Sequence, residues 1–363
     1  MVRQAGARRR AAGEATPLSA ERIPISNVYY LLCYAWRHVE ERDLVGVDAL
    51  DELERVQDLL ATVLVQGTFR LVRQGIDRGY RDVQEDLAGI RGKVDVGGTV
   101  KRALRSRGRV ACAFEELTLD VPHNRILRST LSALLRVRDL DRDVRASVRS
   151  AYEKLAGVTV VRVTRRLFDQ VQLDGNRRYY RFLLSVCRLV HDLLLVDPRS
   201  GEHRFAGLTD AVMWKVYEDF VIEFYRREQD RYGVNRRGRT IRWAREGTHE
   251  DQRSKLPRMV ADAILEADDR RIIMDAKYYP EALGGPYGGK LRSDHLYQLL
   301  AYLRNREATE VPGALHEGIL LYPTVGAAVS AKVRLEGYRI QARSIDLSKD
   351  WKDIHRDMLR IIA

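Results

Sequence analysis

Two aspartates and a lysine carry the strongest chemical signal in this sequence. Asp262 is followed thirteen residues later by Asp275-Ala276-Lys277. Side chains alternate along a β-strand, so in Arg271-Ile272-Ile273-Met274-Asp275-Ala276-Lys277 the Asp275 and Lys277 side chains share one face. Asp262 lies in Met259-Val260-Ala261-Asp262-Ala263-Ile264-Leu265, an otherwise apolar strand. A turn over 266–270 makes these strands a hairpin and brings two carboxylates and one ammonium together. A carboxylate among apolar neighbours is costly unless it is paired or metal-bound. Hard oxygen ligands suit Mg²⁺, which keeps several waters and accepts phosphate oxygens. A lysine beside that ion can orient or deprotonate a water, or stabilise charge developing on phosphate. The plainer alternative for a bare Asp-x-Lys is an ion pair.

Three further features point the same way. On a helix from Thr209, the residues Trp214, Tyr217, Phe220, Val221, Phe224 and Tyr225 form an apolar arc. Lys215, Asp219, Glu223, Arg226 and Arg227 take the other arc, but Glu218 falls inside the apolar one. A carboxylate facing a core needs a partner, and a metal site is one. Gln298 and Tyr302 are i, i+4 neighbours on another helix, off its leucine stripe, where they can brace the lysine or touch a nucleic-acid backbone. Arg231–Arg245 holds six arginines and no acid, interleaved with Tyr232 and Trp243. Such a stretch can track phosphates, with Arg236, Arg237, Arg239 and Arg242 as the DNA contacts. Gly284 to Lys290 imitates a phosphate-binding loop, but Leu291 stands where a magnesium-binding hydroxyl would be needed.

Elements to position these residues can be read from the pattern. A helix is expected over 25–36, capped by Ser26 or Asn27, and a second over 48–73. Glycines punctuate 78–120, which reads as strands and turns, and helices resume at Asn124 and over 177–196. After a turn-rich stretch come a helix over 209–230, a basic strand near 239–246, and strands near 258–266 and 270–278. A helix over 293–306, strands near 317–322 and 332–346, and a helix from 350 complete the chain. That order suits a mixed α/β sandwich. The 363 residues are 45% hydrophobic, enough for two cored domains, and the net charge of +12 favours an anionic partner such as nucleic acid. Three scattered cysteines build no disulfide framework. No stretch reads as a membrane span or a signal peptide, so no membrane association and a soluble, cytoplasmic protein are expected.

The order Glu218, Asp262, Asp275-Ala276-Lys277, Gln298-x-x-x-Tyr302 resembles the PD-(D/E)XK nuclease superfamily, in its variant with a Gln-x-x-x-Tyr helix. The run Ile25-Ser26-Asn27-Val28-Tyr29-Tyr30-Leu31-Leu32-Cys33-Tyr34-Ala35-Trp36 resembles the opening of McrC-family proteins. So do Ile90-Arg91-Gly92-Lys93, the segment from Phe114 through Asp120 to Asn124-Arg125-Ile126-Leu127, and Asp275-Ala276-Lys277-Tyr278-Tyr279. Ala261 stands where the superfamily often has proline. Residues 1–20, with Arg3, Arg8, Arg9 and Arg10 among Ala, Gly and Ser, read as a disordered basic tail. Beyond it the resemblance implies an α+β chain with a mixed α/β partner-binding domain over 21–175, a connecting helix and linker over 176–208, and a PD-(D/E)XK α/β/α nuclease domain over 209–363. It implies that Asp262, Asp275, the Ala276 carbonyl and Glu218 bind Mg²⁺. Lys277 would position the attacking water, with Gln298 and Tyr302 in support. It further implies an endonuclease subunit of a restriction system, acting on double-stranded, modified DNA and stimulating a McrB-like AAA+ GTPase hexameric ring. Arg102, Arg105, Arg107 and Arg109 form a basic element suited to such a ring. The competing readings are a non-catalytic DNA-binding adaptor of a ring and a stand-alone repair nuclease.

Because phosphate contacts make binding steeply salt-dependent, replacing Arg236, Arg237 and Arg239 together with Gln is expected to flatten the slope of log affinity for DNA against log salt. An unchanged slope would move the DNA path elsewhere.

Overall fold

The helix that opens the described chain packs mainly with elements far along the sequence. In the computed structural model, which describes residues 23–46, 50, 52–196, 203–206, 208–234, 240–244, 255–278, 291–309, 315–326 and 329–363, there are two compact units. One takes Met1–Arg42 with Leu208–Ala363, the other Asp43–Gly207. The chain is not divided at 175, the cut between Gly207 and Leu208 falls beside the expected start at 209, and helix α1 (Ile25–Ala35) joins the C-terminal unit. The reason is what α1 buries. Tyr34 donates to the Glu228 carboxylate at 2.6 Å. Neither Ser26 nor Asn27 caps the helix; Pro24 sits at its N-cap. The Asn27 amide instead donates to the carbonyls of Leu347 and Lys349, both at 2.8 Å.

The Asp43–Gly207 unit is a helical body carrying a small sheet. Helix α2 (Val56–Gln74) starts later than the pattern suggested. Strand β1 (Gly79–Leu87), β2 (Lys93–Val94), helix α3 (Val96–Lys101) and β3 (Val110–Thr118) form the glycine-punctuated region, in sheet order β1-β3-β2. Helices α4 (Pro122–Leu134), α5 (Arg142–Lys154), α6 (Arg165–Asp169) and α7 (Arg178–Leu193) come next, then the short pair β4 (Leu194–Val196) and β5 (His203–Phe205). Asn124 on α4 donates to the Asp77 carbonyl just before β1, at 2.9 Å, and to the Leu119 carbonyl just after β3, at 2.8 Å. One side chain thus ties both ends of the sheet to the helices. Arg125 grips Asp120 through two bonds of 2.8 Å, which hold that carboxyl well below the usual carboxylate range.

The other unit continues with helix α8 (Asp210–Arg227), β6 (Gly233–Val234), β7 (Thr240–Ile241), β8 (Met259–Val260), β9 (Ala263–Glu266) and β10 (Arg270–Ala276). Helix α9 (Ser293–Glu307), β11 (Leu315–Thr324), β12 (Ser330–Leu335), β13 (Tyr338–Asp346) and α10 (Trp351–Ile362) complete it. Six strands form one mixed sheet in the order β12-β13-β11-β10-β9-β6. β10, β11 and β13 run parallel, and β9 and β12 run against them. Ile273, Leu320, Tyr322, Ile340 and Ala342 pack with Leu299 and Leu303 of α9. Their alternates Ile272, Met274, Ile319 and Leu321 are buried as well, so both sheet faces are covered. Gly318 permits the close approach of α9: a Cβ there would lie 2.8 Å from Leu299. Arg270 holds Glu317 at 2.6 Å across the β10–β11 pair.

Some expectations shift. The strand expected over 258–266 breaks at Ala261-Asp262, because β8 pairs with β7 whereas β9 pairs with β10. The strand expected over 332–346 is a hairpin turning at Glu336 and Gly337, with φ of 49° and 89°. Of the basic stretch Gly233–Val234 and Thr240–Ile241 are strand among the described residues; Arg236, Arg237 and Arg239 lie outside them, and so does 284–290. On α8 the polar arc differs from the helical-wheel expectation. Glu223 is fully buried, held by Arg37 at 3.1 Å and Arg226 at 3.7 Å, whereas Trp214 is exposed. Among the described residues no helix is long and apolar enough to cross a membrane. All three cysteines are free and buried.

Replacing Asn27 with Ala strands two carbonyls that α1 now satisfies. The expected loss is about 1–3 kcal/mol of stability, read as a lower urea midpoint at unchanged slope. An unaltered midpoint would mean that α1 is not anchored there.

Candidate active site

Strand geometry sets the face that carries Asp275 and Lys277. β10 pairs in parallel with β11 through Ala276↔Leu321, and the Lys277 N–H still donates to the Leu321 carbonyl at 2.9 Å. Lys277 therefore keeps the strand alternation, and Asp275 and Lys277 point with Ile273 toward α9. On the other flank the antiparallel register with β9 ends at Met274↔Ala263. Asp262 is the next residue, set beside Asp275 where the chain bends away toward β8. Its carboxylate accepts from the Ala276 N–H at 2.7 Å. The contact seen at Ala276 is thus through its amide rather than its carbonyl.

Lys277 sits between two partners. Its Nζ lies 2.7 Å from Asp275 Oδ2 and donates to Gln298 Oε1 at 2.8 Å. Gln298 Nε2 donates to the Tyr302 hydroxyl at 2.7 Å, and that hydroxyl donates to the Val260 carbonyl at 3.2 Å. The expected brace on the lysine is therefore present. Tyr302 is buried in the α9 core rather than standing off the leucine stripe. Burial raises its pKa.

Glu218 is buried as its place on α8 implied, but its carboxylate meets Lys215 at 3.3 Å. Among the described residues no three His, Cys, Asp or Glu side chains are grouped to hold a metal ion, so Glu218 does not complete a carboxylate triad with Asp262 and Asp275. It acts at longer range. Burial pushes the Asp262 pKa well above the ordinary carboxylate value, and the charges of Asp275 and then Glu218 push it further. Two buried carboxylates that repel one another are short of positive charge. One or two carboxylates completed by waters and phosphate oxygens is also the donor set Mg²⁺ takes, so Asp262 and Asp275 fit a hard divalent cation.

Two neighbours escaped the sequence reading. Lys215 is three residues before Glu218, a spacing that could have flagged it. His295 is three residues before Gln298 on the same helix face, 2% exposed, with Nδ1 2.9 Å from the Tyr322 hydroxyl. Burial and then the Lys277 charge lower its pKa, so the ring is neutral at neutral pH. Of the arginine stretch, Arg242 is described and exposed.

A two-unit α+β chain with a carboxylate–lysine site at the end of a central strand is a class shared by many proteins, and the comparisons narrow it. The chain belongs to the family described as McrBC 5-methylcytosine restriction system component, whose model matches residues 28–323. An Escherichia coli (strain K12) protein described as type IV methyl-directed restriction enzyme EcoKMcrBC is 30% identical over 342 residues, covering 93% of this chain and 97% of that one. The solved half-complex of Thermococcus gammatolerans McrB AAA+ hexamers with bound McrC shares the fold at a TM-score of 0.61 and 17% identity, over 94% of this chain and 76% of that one.

Asp262 supplies a test of the site's electrostatics. Its carboxyl titrates above the ordinary value when folded, so below that ordinary value both states are protonated and nothing is lost. As pH rises toward the folded pKa, folding increasingly opposes ionisation and stability falls. With chelator present, Asp262→Asn is expected to be more stable than the parent at pH 7.5, the gain fading toward pH 4. No gain at pH 7.5 would mean that folding does not oppose ionisation of Asp262.

Proposed function

We propose that this chain is the Mg²⁺-dependent DNA endonuclease subunit of a McrBC-type restriction system, with a PD-(D/E)XK nuclease unit and a separate partner-docking unit. The observation that carries this reading is the convergence of Asp262, Asp275 and Lys277 at the end of β10, braced by Gln298. Asp262 and Asp275 would hold Mg²⁺, which when bound supplies Lewis acidity and a more acidic water. Lys277 spends two of its three donors on Asp275 and Gln298, leaving one for the attacking water or a phosphate oxygen. Tyr302 keeps the Gln298 amide turned toward that lysine. Glu218 adds negative charge nearby, which strengthens the demand for a cation. The arginines around β7 would follow the backbone of double-stranded DNA.

The partner is a McrB-like AAA+ GTPase ring. The Escherichia coli relative is described as methyl-directed, which supports modified DNA as the substrate, and the Thermococcus assembly pairs McrC with McrB AAA+ hexamers. In the Asp43–Gly207 unit, Tyr80, Ile90, Val96, Val100 and Leu117 are exposed apolar side chains on or beside the small sheet. Exposed Arg105, Arg107 and Arg109 stand close in sequence, and Arg102 is held by Asp86 at 2.9 Å. This mix suits docking on a protein ring, and an arginine offered to its nucleotide site would stimulate GTP turnover.

The test is plasmid cleavage with the partner ring, Mg²⁺ and GTP. Asp275→Ala and Lys277→Ala are each expected to lose at least about 10²-fold in cleavage while the ring's GTP turnover stays stimulated. Near-parental cutting by either variant would remove that residue from the chemistry.

A further inference from the structure

Helix α9 meets the sheet through Arg306 on Glu266 of β9 and Glu307 with Tyr338 of β13 near its C-terminal end, and through three polar bonds toward the site, of which the proposed chemistry uses two. Gln298 reaches Lys277 at the end of β10, at 2.8 Å, and Tyr302 reaches Val260 on β8, at 3.2 Å. The third is His295 to Tyr322 on β11, at 2.9 Å. The three residues succeed one another at i, i+3 and i+7, so they form one stripe along the helix. His295 and Tyr322 are 2% and 0% exposed. Neither polar group is needed to fill the apolar layer around them, and each is tolerated there because the other pairs with it.

Between these polar contacts the α9 interface is apolar. Leu299 and Leu303 press against Gly318, with the packing set by shape. Such packing resists separation of helix and sheet but is weakly directional, whereas a hydrogen bond is directional. The Lys277–Gln298 bond depends on where the helix is rotated and how far along its axis it sits. A displacement of about 1 Å near a reacting group can lower a rate about 10²-fold.

We infer that His295, through Tyr322, is a positioning residue for DNA cleavage: the pair fixes α9 on β11 so that Gln298 meets the Lys277 ammonium. The inference rests on the nuclease reading of the site. His295 acts through the helix and touches neither DNA nor metal.

The experiment is single-turnover cleavage of modified DNA by the full-length protein with its partner ring, Mg²⁺ and GTP. Tyr322→Phe keeps the ring and removes the hydroxyl. His295→Leu removes the imidazole, and His295→Asn returns a polar group at the Nδ1 position. Tyr322→Phe and His295→Leu are expected to slow cleavage at saturating DNA about 10-fold or more, with the half-saturating DNA concentration unchanged. His295→Asn should restore most of the rate. The His295→Leu/Tyr322→Phe double variant should be no slower than the slower single, since both remove one bond. His295→Leu added to Gln298→Ala should cost nothing further. Parental rates in Tyr322→Phe, a His295→Asn protein as slow as His295→Leu, or additive losses would each overturn the inference. So would a slowing that tracks a lowered thermal midpoint across the set. Lys277→Ala run in parallel separates the two claims: if it cuts normally, the nuclease reading fails and this inference with it; if it is inactive while Tyr322→Phe is normal, only this inference fails.

Discussion

Two carboxylates buried side by side dictate the rest of this site. Asp275 lies at the end of β10 and Asp262 in the break between β8 and β9 beside it, where burial makes like charges repel more strongly than at a surface. The fold tolerates them because each has a nearby compensating group. The Ala276 amide donates to Asp262, and the Lys277 ammonium rests on Asp275. Neither offsets the cost in full: burial first, and then the Asp275 and Glu218 charges, raise the Asp262 pKa. A fold optimised only for stability would place apolar residues here. Keeping the pair leaves a pocket of negative charge that favours a cation.

The position in the sheet matters as much as the residue types. β10 runs parallel to β11 and antiparallel to β9, so the direction of the sheet changes at this strand. The carboxyl ends of parallel strands are where open α/β sheets leave room for a ligand. The break at Ala261-Asp262 serves the same end. It sends β8 away to pair with β7 and leaves Asp262 at the rim instead of inside a continuous ladder. Helix α9 closes one side of the rim and brings Gln298 to the lysine, an approach that Gly318 permits. In the same unit α1 packs on α8, and Arg37 just beyond α1 neutralises the buried Glu223. An N-terminal helix thus supports the helix that carries Glu218.

The sequence by itself was enough for the strand alternation, the pairing of Asp275 with Lys277 on one face, the inward turn of Glu218 and the Gln298–Tyr302 stripe. Each arises from a local period of two or about 3.6, which the chain cannot evade once the element forms. What only the tertiary structure decided are the partners. Local periodicity could not reveal that Lys215 takes the Glu218 carboxylate, that Tyr302 enters the core, or that His295 meets Tyr322, twenty-seven residues away. Nor could it show that Ile25–Ala35 joins the unit built from Leu208 onward, with the Asn27 amide bonded to carbonyls some 320 residues on. Periodicity states which way a side chain points; what it meets there depends on loop closure and strand order, and these are fixed only when distant segments compete for the same apolar surface.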